Sequence, residues 1–515
     1  MKRTATTIRE LIDQQAALQV QRQPDALYAL ATEREQTLPY SELSQRCQSV
    51  SHWLSKNGAH FGDTVSLVMP NGLATLTLLL GAMWGGRCVN PINLLSQADQ
   101  MRYVLEHSDC KLIVVSPAWE LRVREIVSNI ERSIAVQVID PDALQFADNT
   151  VGIAPQAVSP DATALLMYTS GTTGQPKGVL LTQANLVANA YAISEEHALL
   201  NTDRVLGVLP LYHINAFAVT MLAPLASGGS VAMAPKFSAA RFWGQAIDCG
   251  CNWLNVVPTM ISYLNEGQGI EGQSIEGQGI SEAGSGFKFC RSASAALPPE
   301  HLLAFERKFG IGIIETMGLT ETVAPSFSNP LNSAERKIGS VGKASGCEAC
   351  IINANLQPVA DGVIGEVAIR GPNVMKGYYK NEQATTSTFT VDGWLRTGDL
   401  GYRDVDGFFF VTGRIKELII KGGENIAPRE IDEVLLKHAA VLDAAAVGIP
   451  DKHYGQEIMA CVIVREGFTC TEADITAHSL KHLGKYKTPK VIRFVSELPR
   501  GPSGKVQRLK LVSLL

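Results

Sequence analysis

The sequence has little that suits a secreted, membrane-spanning or nucleic-acid-binding protein. Its 515 residues include only ten cysteines, spread along the whole chain, so the disulfide framework of a secreted domain is not indicated. The longest apolar run, residues 73–86, contains glycines and is shorter than the roughly 20 residues of a membrane span. It predicts a buried helix. The formal net charge of −5 argues against a broad nucleic-acid or anionic-lipid surface.

The N-terminus and the cysteines together predict a cytoplasmic protein with reduced thiols. Residues 1–23 are polar and lack the apolar stretch of a secretory signal. One CxxC pair, Cys347 and Cys350, has no second pair at zinc spacing, so no metal or redox role is assigned to it.

The chain is long enough for about three folding units. Between residues 25 and 150 short apolar runs alternate with amphipathic stretches, and strand patterns return at 205–209 and 230–233. This alternation predicts parallel sheets covered by helices. From Gly365 the strands are split by turn residues, which predicts a smaller β-rich unit, and residues 416–515 predict a compact α+β tail.

A short repeat, EGQGI-EGQSI-EGQGI, occupies residues 266–280. Units of this length cannot build a solenoid, whose repeats have about 20 residues or more. Glycine and glutamine there favour a surface loop, and no function is assigned to it.

The segment with the clearest chemical meaning is YTSGTTGQPKG, residues 168–178. Its glycines let the backbone curl around an anion, and its hydroxyls and Lys177 can donate hydrogen bonds to phosphate oxygens. It is not a Walker A motif, because Gly178 rather than Ser or Thr follows the lysine. It predicts a phosphate-binding loop of another kind.

Further motifs follow in the order ETMGLTE (315–321), GWLRTGD (393–399), GRIKE (413–417) with KGGENI (421–426), and PRGPSGK (499–505). A carboxylate such as Glu321 suits Mg²⁺, and Asp399 on a glycine turn suits ribose hydroxyls. With these motifs in this order, roughly residues 25–510 resemble the adenylate-forming superfamily of acyl-CoA synthetases, peptide-synthetase adenylation domains and beetle luciferases.

The resemblance implies an acid–CoA ligase with an α/β fold. ATP, with Mg²⁺, would convert a carboxylic acid into acyl-AMP and pyrophosphate, and the thiol of coenzyme A would then take the acyl group and release AMP. Residues 1–415 would hold ATP and the acid in two parallel-sheet αβ subdomains and a small β-barrel-like subdomain. Residues 416–515 would form a small mobile α+β domain.

The resemblance also implies a role for each matching residue. The expected catalytic residues are Lys505, Glu321, Thr320 and His213, with Glu321 also at the metal. The expected ATP contacts are Thr169, Ser170, Gly171, Thr172, Thr173, Gly174, Lys177, Ser294, Glu315, Thr316, Asp399 and Arg414. The acyl pocket is expected at Asn215, Val257, Met317 and Gly318, the coenzyme A tunnel at Lys421, Gly422 and Gly423, and the hinge at Lys416.

The acid and the acceptor stay open. Gly318 stands where acetyl-specific relatives carry Trp, so an acid larger than acetate, small to medium in size and polar, is expected. Arg241 is a candidate partner for an anionic tail, although a surface position is favoured. A fatty-acid CoA ligase and an enzyme that loads a carrier-protein pantetheine are alternatives. The assembly state is open, with a homodimer as one candidate.

Two other function classes are disfavoured. A luciferase-type oxygenase would need an emitter pocket and O₂ chemistry on the same fold. A non-catalytic nucleotide-binding protein would not be expected to keep the whole set Lys177, Glu321, Asp399, Arg414 and Lys505.

Overall fold

The computed structural model describes residues 4–143, 146, 156–169, 175–267, 286–501 and 506–514. They form an α/β fold with four sheets, of which two are large and mixed and two are small. The predicted fold class is confirmed. The small β-rich unit is an open four-stranded antiparallel sheet rather than a closed barrel across the described strands.

The helices are α1 (Ile8–Arg22), α2 (Tyr40–Lys56), α3 (Leu73–Trp84), α4 (Ala98–His107), α5 (Glu120–Ser128), α6 (Gln183–Glu196), α7 (Ala223–Ser227), α8 (Phe242–Asp248), α9 (Pro258–Glu266), α10 (Pro299–Phe309), α11 (Glu382–Thr388), α12 (Pro428–Leu435), α13 (Glu472–Lys487) and α14 (Arg508–Leu511). A π-helical segment, Ala216–Leu222, precedes α7.

The strands are β1 (Leu27–Ala31), β2 (Thr37–Pro39), β3 (Thr64–Val68), β4 (Cys88–Pro91), β5 (Leu112–Val115), β6 (Ala135–Val138), β7 (Thr163–Thr169), β8 (Lys177–Thr182), β9 (Arg204–Gly207), β10 (Ser230–Met233), β11 (Trp253–Val256), β12 (Phe289–Ser292), β13 (Ile313–Leu319), β14 (Ala324–Ser328), β15 (Lys343–Ala344), β16 (Glu348–Ile352), β17 (Gly365–Arg370), β18 (Gly377–Tyr378), β19 (Leu395–Arg403), β20 (Phe409–Arg414), β21 (Ile419–Lys421), β22 (Glu424–Ile426), β23 (Val441–Asp451), β24 (Gly455–Val464) and β25 (Val491–Phe494).

Both large sheets are parallel in the middle and antiparallel at an edge. The nine-stranded sheet has the order β15-β14-β13-β12-β11-β9-β10-β1-β2, and the seven-stranded sheet has the order β18-β8-β7-β4-β3-β5-β6. Helices cover their faces, as the alternation of strands and helices predicts. The apolar run that predicts a buried helix is α3, all of whose residues are buried.

Helix α1 contacts parts of the chain that lie far from it in sequence. Thr7 and Glu10 form a capping box at its start. One face, spaced three and four residues apart, is buried against α2, α3, α6 and α7. The amide nitrogen of Ile8 donates to Gln183 Oε1 at 2.9 Å, and Gln15 Nε2 donates to the carbonyl of Ala226 at 2.9 Å. The helix therefore holds both large sheets together from one side.

The four-stranded sheet has the order β16-β17-β19-β20, and the last sheet joins β22-β21-β24-β23 with β25 beside β24. This last sheet begins at Ile419 and packs its own apolar core with α12 and α13. The division of the chain at residues 415 and 416 stays a prediction. None of the helices described here is both long and apolar enough to cross a bilayer. Most of the repeat, residues 268–280, lies outside the described residues.

Candidate active site

A cavity of about 820 Å³ lies beyond the carboxyl ends of the parallel strands β11, β12 and β13. This is the edge at which open α/β sheets bind ligands. Its opposite wall comes from residues 496–500, 506 and 508 of the C-terminal part. The cavity brings together seven of the predicted site residues, namely Ser294, Glu315, Thr316, Met317, Gly318, Asp399 and Arg414.

Asp399 and Arg414 form an ion pair at this cavity. They are opposite each other on β19 and β20, and Arg414 Nε lies 2.7 Å from Asp399 Oδ1. Gly398 before the carboxylate has a φ of +72°, a conformation that favours glycine, but it lies within β19 and not in the predicted turn. Burial acts to lower the pKa of Arg414, but Asp399, Glu417 and Glu321 raise it above its ordinary value. Arg414 therefore stays charged, and the pair can offer both donors and acceptors to a nucleotide.

Glu315 is a buried carboxyl group on the wall of the cavity. Its Oε1 accepts a hydrogen bond from the amide of Leu297 at 3.2 Å, while Oε2 has no hydrogen-bond partner among the described residues. Burial raises the pKa of Glu315 to about 7, although Arg429 acts in the opposite direction. The group therefore keeps its proton to a higher pH than an exposed glutamate does.

Ser294 has a strained backbone. Its φ is +75°, a conformation that a serine rarely adopts. Such strain persists only where the surroundings hold the residue, and it is common in functional sites. Here it presents the Ser294 hydroxyl at the cavity wall, 3.4 Å from Asn215 Nδ2.

Glu321 and Lys177 approach each other across Tyr378. The Tyr378 hydroxyl donates to Glu321 Oε1 at 2.9 Å, and Lys177 Nζ lies 4.8 Å from the centre of the Tyr378 ring. Lys177 is paired with Thr169 across β7 and β8, and Thr320 and Glu321 form a short turn after β13. Sequence reasoning missed Tyr378, because a Gly-Tyr-Tyr run carries no spacing that indicates chemistry.

His213, Asn215 and Val257 are not among the residues that line the cavity, although Asn215 contacts the lining residue Ser294 and Val257 immediately precedes the lining residue Pro258. The His213 ring lies against Tyr212, with 4.8 Å between ring centres. Asn215 is buried and precedes the π-helical segment, and Val257 immediately precedes α9. Asn215 Oδ1 accepts a hydrogen bond from Arg291 Nη1 at 2.7 Å. Arg291 is a second residue that the sequence did not reveal.

The predicted tunnel residues lie in the C-terminal sheet, away from the cavity lining. The Lys421 side chain is buried, forms an ion pair with Glu457 and donates to the Tyr486 carbonyl at 2.8 Å. Gly422 and Gly423, with φ of +56° and +88°, form the two-residue turn between β21 and β22. A hairpin turn with two positive φ values favours glycine at both positions, so the turn alone accounts for the glycine pair. Lys416 lies in the short turn Ile415–Glu417.

Some predicted residues lie outside the described part of the chain. They are Ser170, Gly171, Thr172, Thr173, Gly174 and Lys505. Pro499, Arg500 and Val506 line the cavity on either side of residues 502–505.

The structure bears on two expectations about the acid pocket, that for Gly318 and that for Arg241. A Cβ added to Gly318 would lie 2.4 Å from the carbonyl oxygen of Ala324, so the main chain of β14 fills the space that the missing side chain leaves. Gly318 therefore does not enlarge the cavity in this direction. Arg241 forms an ion pair with Glu33 at 2.9 Å, half of its side chain is exposed, and it is not among the cavity-lining residues. This is the surface position that the sequence favours.

Known proteins match this chain almost from end to end. Residues 16–379 match the family described as AMP-binding enzyme, and residues 430–505 match the AMP-binding enzyme C-terminal domain. The chain is 53% identical to a sulfoacetate–CoA ligase of Cupriavidus necator over 517 residues, 99% of each chain. It is 36% identical to an oxalate–CoA ligase of Arabidopsis thaliana over 471 residues, 90% of each chain. The crystal structure of ATP-bound MatB from Rhodopseudomonas palustris matches with a TM-score of 0.88, at 27% identity and 98% coverage of both chains.

The chain therefore belongs to the family of AMP-binding enzymes. Within that family it is an AMP-forming acid–CoA ligase, whose substrates are ATP, coenzyme A and a small-molecule carboxylic acid. The predicted family and reaction class are confirmed.

Proposed function

We propose that this enzyme converts sulfoacetate, ATP and coenzyme A into sulfoacetyl-CoA, AMP and pyrophosphate. The observation that carries the proposal is the 53% identity to a sulfoacetate–CoA ligase, which extends over 99% of both chains. The oxalate–CoA ligase at 36% identity acts, by its name, on another short acid with a second anionic group. A fatty-acid substrate is not favoured by either relative.

In the first half-reaction the carboxylate of the acid would attack the α-phosphorus of ATP and displace pyrophosphate. This step depends on positioning and on neutralising negative charge. We propose that Lys177 and Thr320 contact phosphates, that Asp399 and Arg414 hold the ribose side of the nucleotide, and that Lys505 binds the reacting carboxylate.

We propose Mg²⁺ as the metal ion and Glu321 as its protein ligand. Mg²⁺ prefers hard oxygen ligands and is commonly held by one or two carboxylates together with nucleotide phosphates. The Glu321 carboxylate has this chemistry, and its hydrogen bond from Tyr378 would orient it. The ion would neutralise phosphate charge, while the Lys177 side chain against the same tyrosine ring adds a second positive charge nearby.

In the second half-reaction the thiol of coenzyme A would attack the acyl-adenylate. We propose that residues 416–515 rotate about Lys416 between the two half-reactions, which would bring the turn at Gly422 and Gly423 toward the cavity. The proposal is supported by the separate core of the C-terminal sheet and by the position of residues 499, 500 and 506 at the cavity wall.

The test is an acid panel assayed for pyrophosphate release and for thioester formation, with and without coenzyme A. The panel contains sulfoacetate, oxalate, malonate, acetate, propionate and a medium-chain fatty acid. We expect the highest kcat/KM with sulfoacetate and thioester formation that requires coenzyme A. Higher kcat/KM with propionate or the fatty acid would contradict the proposed substrate, and acid-dependent AMP release without any thioester would contradict the acceptor.

A further inference from the structure

Arg291 is a fully buried cation with no carboxylate partner among the described residues. It lies on β12, in the middle of the nine-stranded sheet, and is 1% exposed. Arg291 Nη1 donates hydrogen bonds to Asn215 Oδ1 at 2.7 Å and to Asn255 Oδ1 at 2.9 Å, while Nε has no partner in the described part of the chain. A buried charge without a counter-charge is costly. Burial accordingly lowers the pKa of Arg291 to about 9.

The nearby carboxyl group, Glu315, points to the other face of the sheet. Arg291 is paired with Ile314 in the register of β12 and β13, and Glu315 is paired with Ser292. Side chains of successive strand residues alternate between the two faces, so Glu315 and Arg291 are on opposite faces. The backbone therefore prevents this carboxylate from neutralising the guanidinium.

The guanidinium fixes how the two asparagine amides are turned. Arginine has donors only, so the atoms facing Nη1 must be the amide oxygens. The NH₂ group of Asn215 consequently faces the Ser294 hydroxyl, and that of Asn255 faces Thr220 Oγ1 at 3.0 Å. Ser294 lines the cavity. A chain of polarised groups thus runs from the buried cation to the cavity wall.

A second buried arginine shows what a purely structural guanidinium looks like in this protein. Arg87, 3% exposed, donates from Nε to the Ala59 carbonyl, from Nη1 to Ser51 and Gly85, and from Nη2 to Ser55. All three of its nitrogens are satisfied by oxygens of neighbouring loops and helices. Arg291 differs because its Nε lacks a partner among the described residues and because its amide contacts lead to the cavity.

We propose that Arg291 is a positioning residue that makes the acid end of the cavity selective for an acid with a second anionic group. Its positive charge orients and polarises Asn215, so that the Asn215 NH₂ group holds the Ser294 hydroxyl, and this hydroxyl, which lines the cavity, binds the sulfonate. Ser294 is thereby assigned to the acid rather than to ATP. This inference rests on the proposed function and adds to it the residue that recognises the second anion.

The test compares sulfoacetate with methylsulfonylacetate, which has nearly the same shape but carries a neutral sulfone in place of the sulfonate. In wild type we expect a clear preference for sulfoacetate. In Arg291→Met we expect kcat/KM for sulfoacetate to fall about tenfold or more, mainly through KM, with little change for the sulfone; a tenfold change corresponds to about 1.4 kcal/mol. Arg291→Lys should keep part of the preference.

Asn215→Asp is the companion variant, because it keeps the size of the side chain and gives Arg291 a counter-charge. We expect it to fold, to unfold at a higher temperature than wild type, and still to lose the preference for sulfoacetate. Arg87→Met is the matched control, and it should lower stability and leave the preference unchanged. Equal losses for both acids in the Arg291 variants, or an unchanged preference in Asn215→Asp, would overturn the inference.

The two proposals fail in different ways. If wild type prefers another dianionic acid, such as malonate, the proposed substrate is wrong. The same variants are then compared on malonate and on its monomethyl ester, which lacks the second charge. If wild type activates only acids that lack a second charge, both are wrong.

Discussion

Replacing Glu315 by glutamine should stabilise the protein at neutral and alkaline pH. The folded protein keeps the Glu315 proton up to about pH 7, whereas the ordinary pKa of this group is 4.5. Below pH 4.5 Glu315 is protonated in both the folded and the unfolded chain, so its ionisation costs no stability. As the pH rises toward 7 the unfolded chain releases its proton first, so stability falls. At about 1.4 kcal/mol per pH unit, the loss above pH 7 is about 3 kcal/mol.

Glutamine mimics the protonated acid and should escape this loss. Its carbonyl oxygen can still accept the hydrogen bond from Leu297, which the Glu315 Oε1 atom now accepts at 3.2 Å. In domains of 150–250 residues about 1 kcal/mol changes Tm by 2–4 °C. We therefore expect the Tm of Glu315→Gln to be several degrees higher than that of wild type at pH 8, and to be nearly the same as that of wild type at pH 4.5.

The assay is thermal unfolding of wild type and variant without nucleotide, between pH 4.5 and pH 8.5. Glu348→Gln is a matched control, because that carboxylate is exposed and its ion pair with Arg370 lies at the surface, where such pairs contribute little. A difference in Tm between Glu315→Gln and wild type that does not grow with pH would refute the reasoning.

Other predictions concern the C-terminal part. Lys505→Ala should lose acyl-adenylate formation yet still convert a supplied acyl-adenylate with coenzyme A, while the exposed Lys510→Ala should change neither; equal loss of both half-reactions would contradict the proposed rotation. Lys421→Met should cost about 3–5 kcal/mol in thermal or urea unfolding, because it leaves the buried Glu457 carboxylate without its cation, and an added Glu457→Leu should restore stability. Gly423→Ala has room for its methyl group, so only its positive φ should cost stability, about 1–2 kcal/mol; a much larger loss in the rate of thioester formation would indicate contact with coenzyme A.

The elements with strong local patterns were predictable from the sequence. Helix α3 is apolar on all sides, and only burial suits such a helix. The strand predicted at 230–233 has the predicted bounds, whereas the strand predicted at 205–209 is observed as Arg204–Gly207. Strand ends depend on pairing with neighbours, which a single run of residues does not contain.

The site was predictable only where the residue types themselves indicate chemistry. Asp399 and Arg414 follow recognisable glycines, and the structure brings both to the cavity. Arg291 stands in Phe-Cys-Arg-Ser, a run that predicts a strand and gives no sign that its charge is buried. The missing side chain of Gly318 predicts open space in the acid pocket. The antiparallel pairing of β13 and β14 instead brings the main chain of β14 into that space. Both facts depend on the tertiary pairing of strands.

The contacts of α1 have a consequence for how the protein is made on the ribosome. Gln15 bonds to Ala226, which is 211 residues further along the chain. At a synthesis rate of about 5–20 residues per second, α1 is complete roughly 10–40 seconds before this partner is made. During that interval its apolar face, which includes Ile8, Leu11 and Ile12, lacks part of its final cover. Apolar surface that is exposed in this way favours aggregation, and a slower stretch of translation before residue 226 would lengthen the exposure.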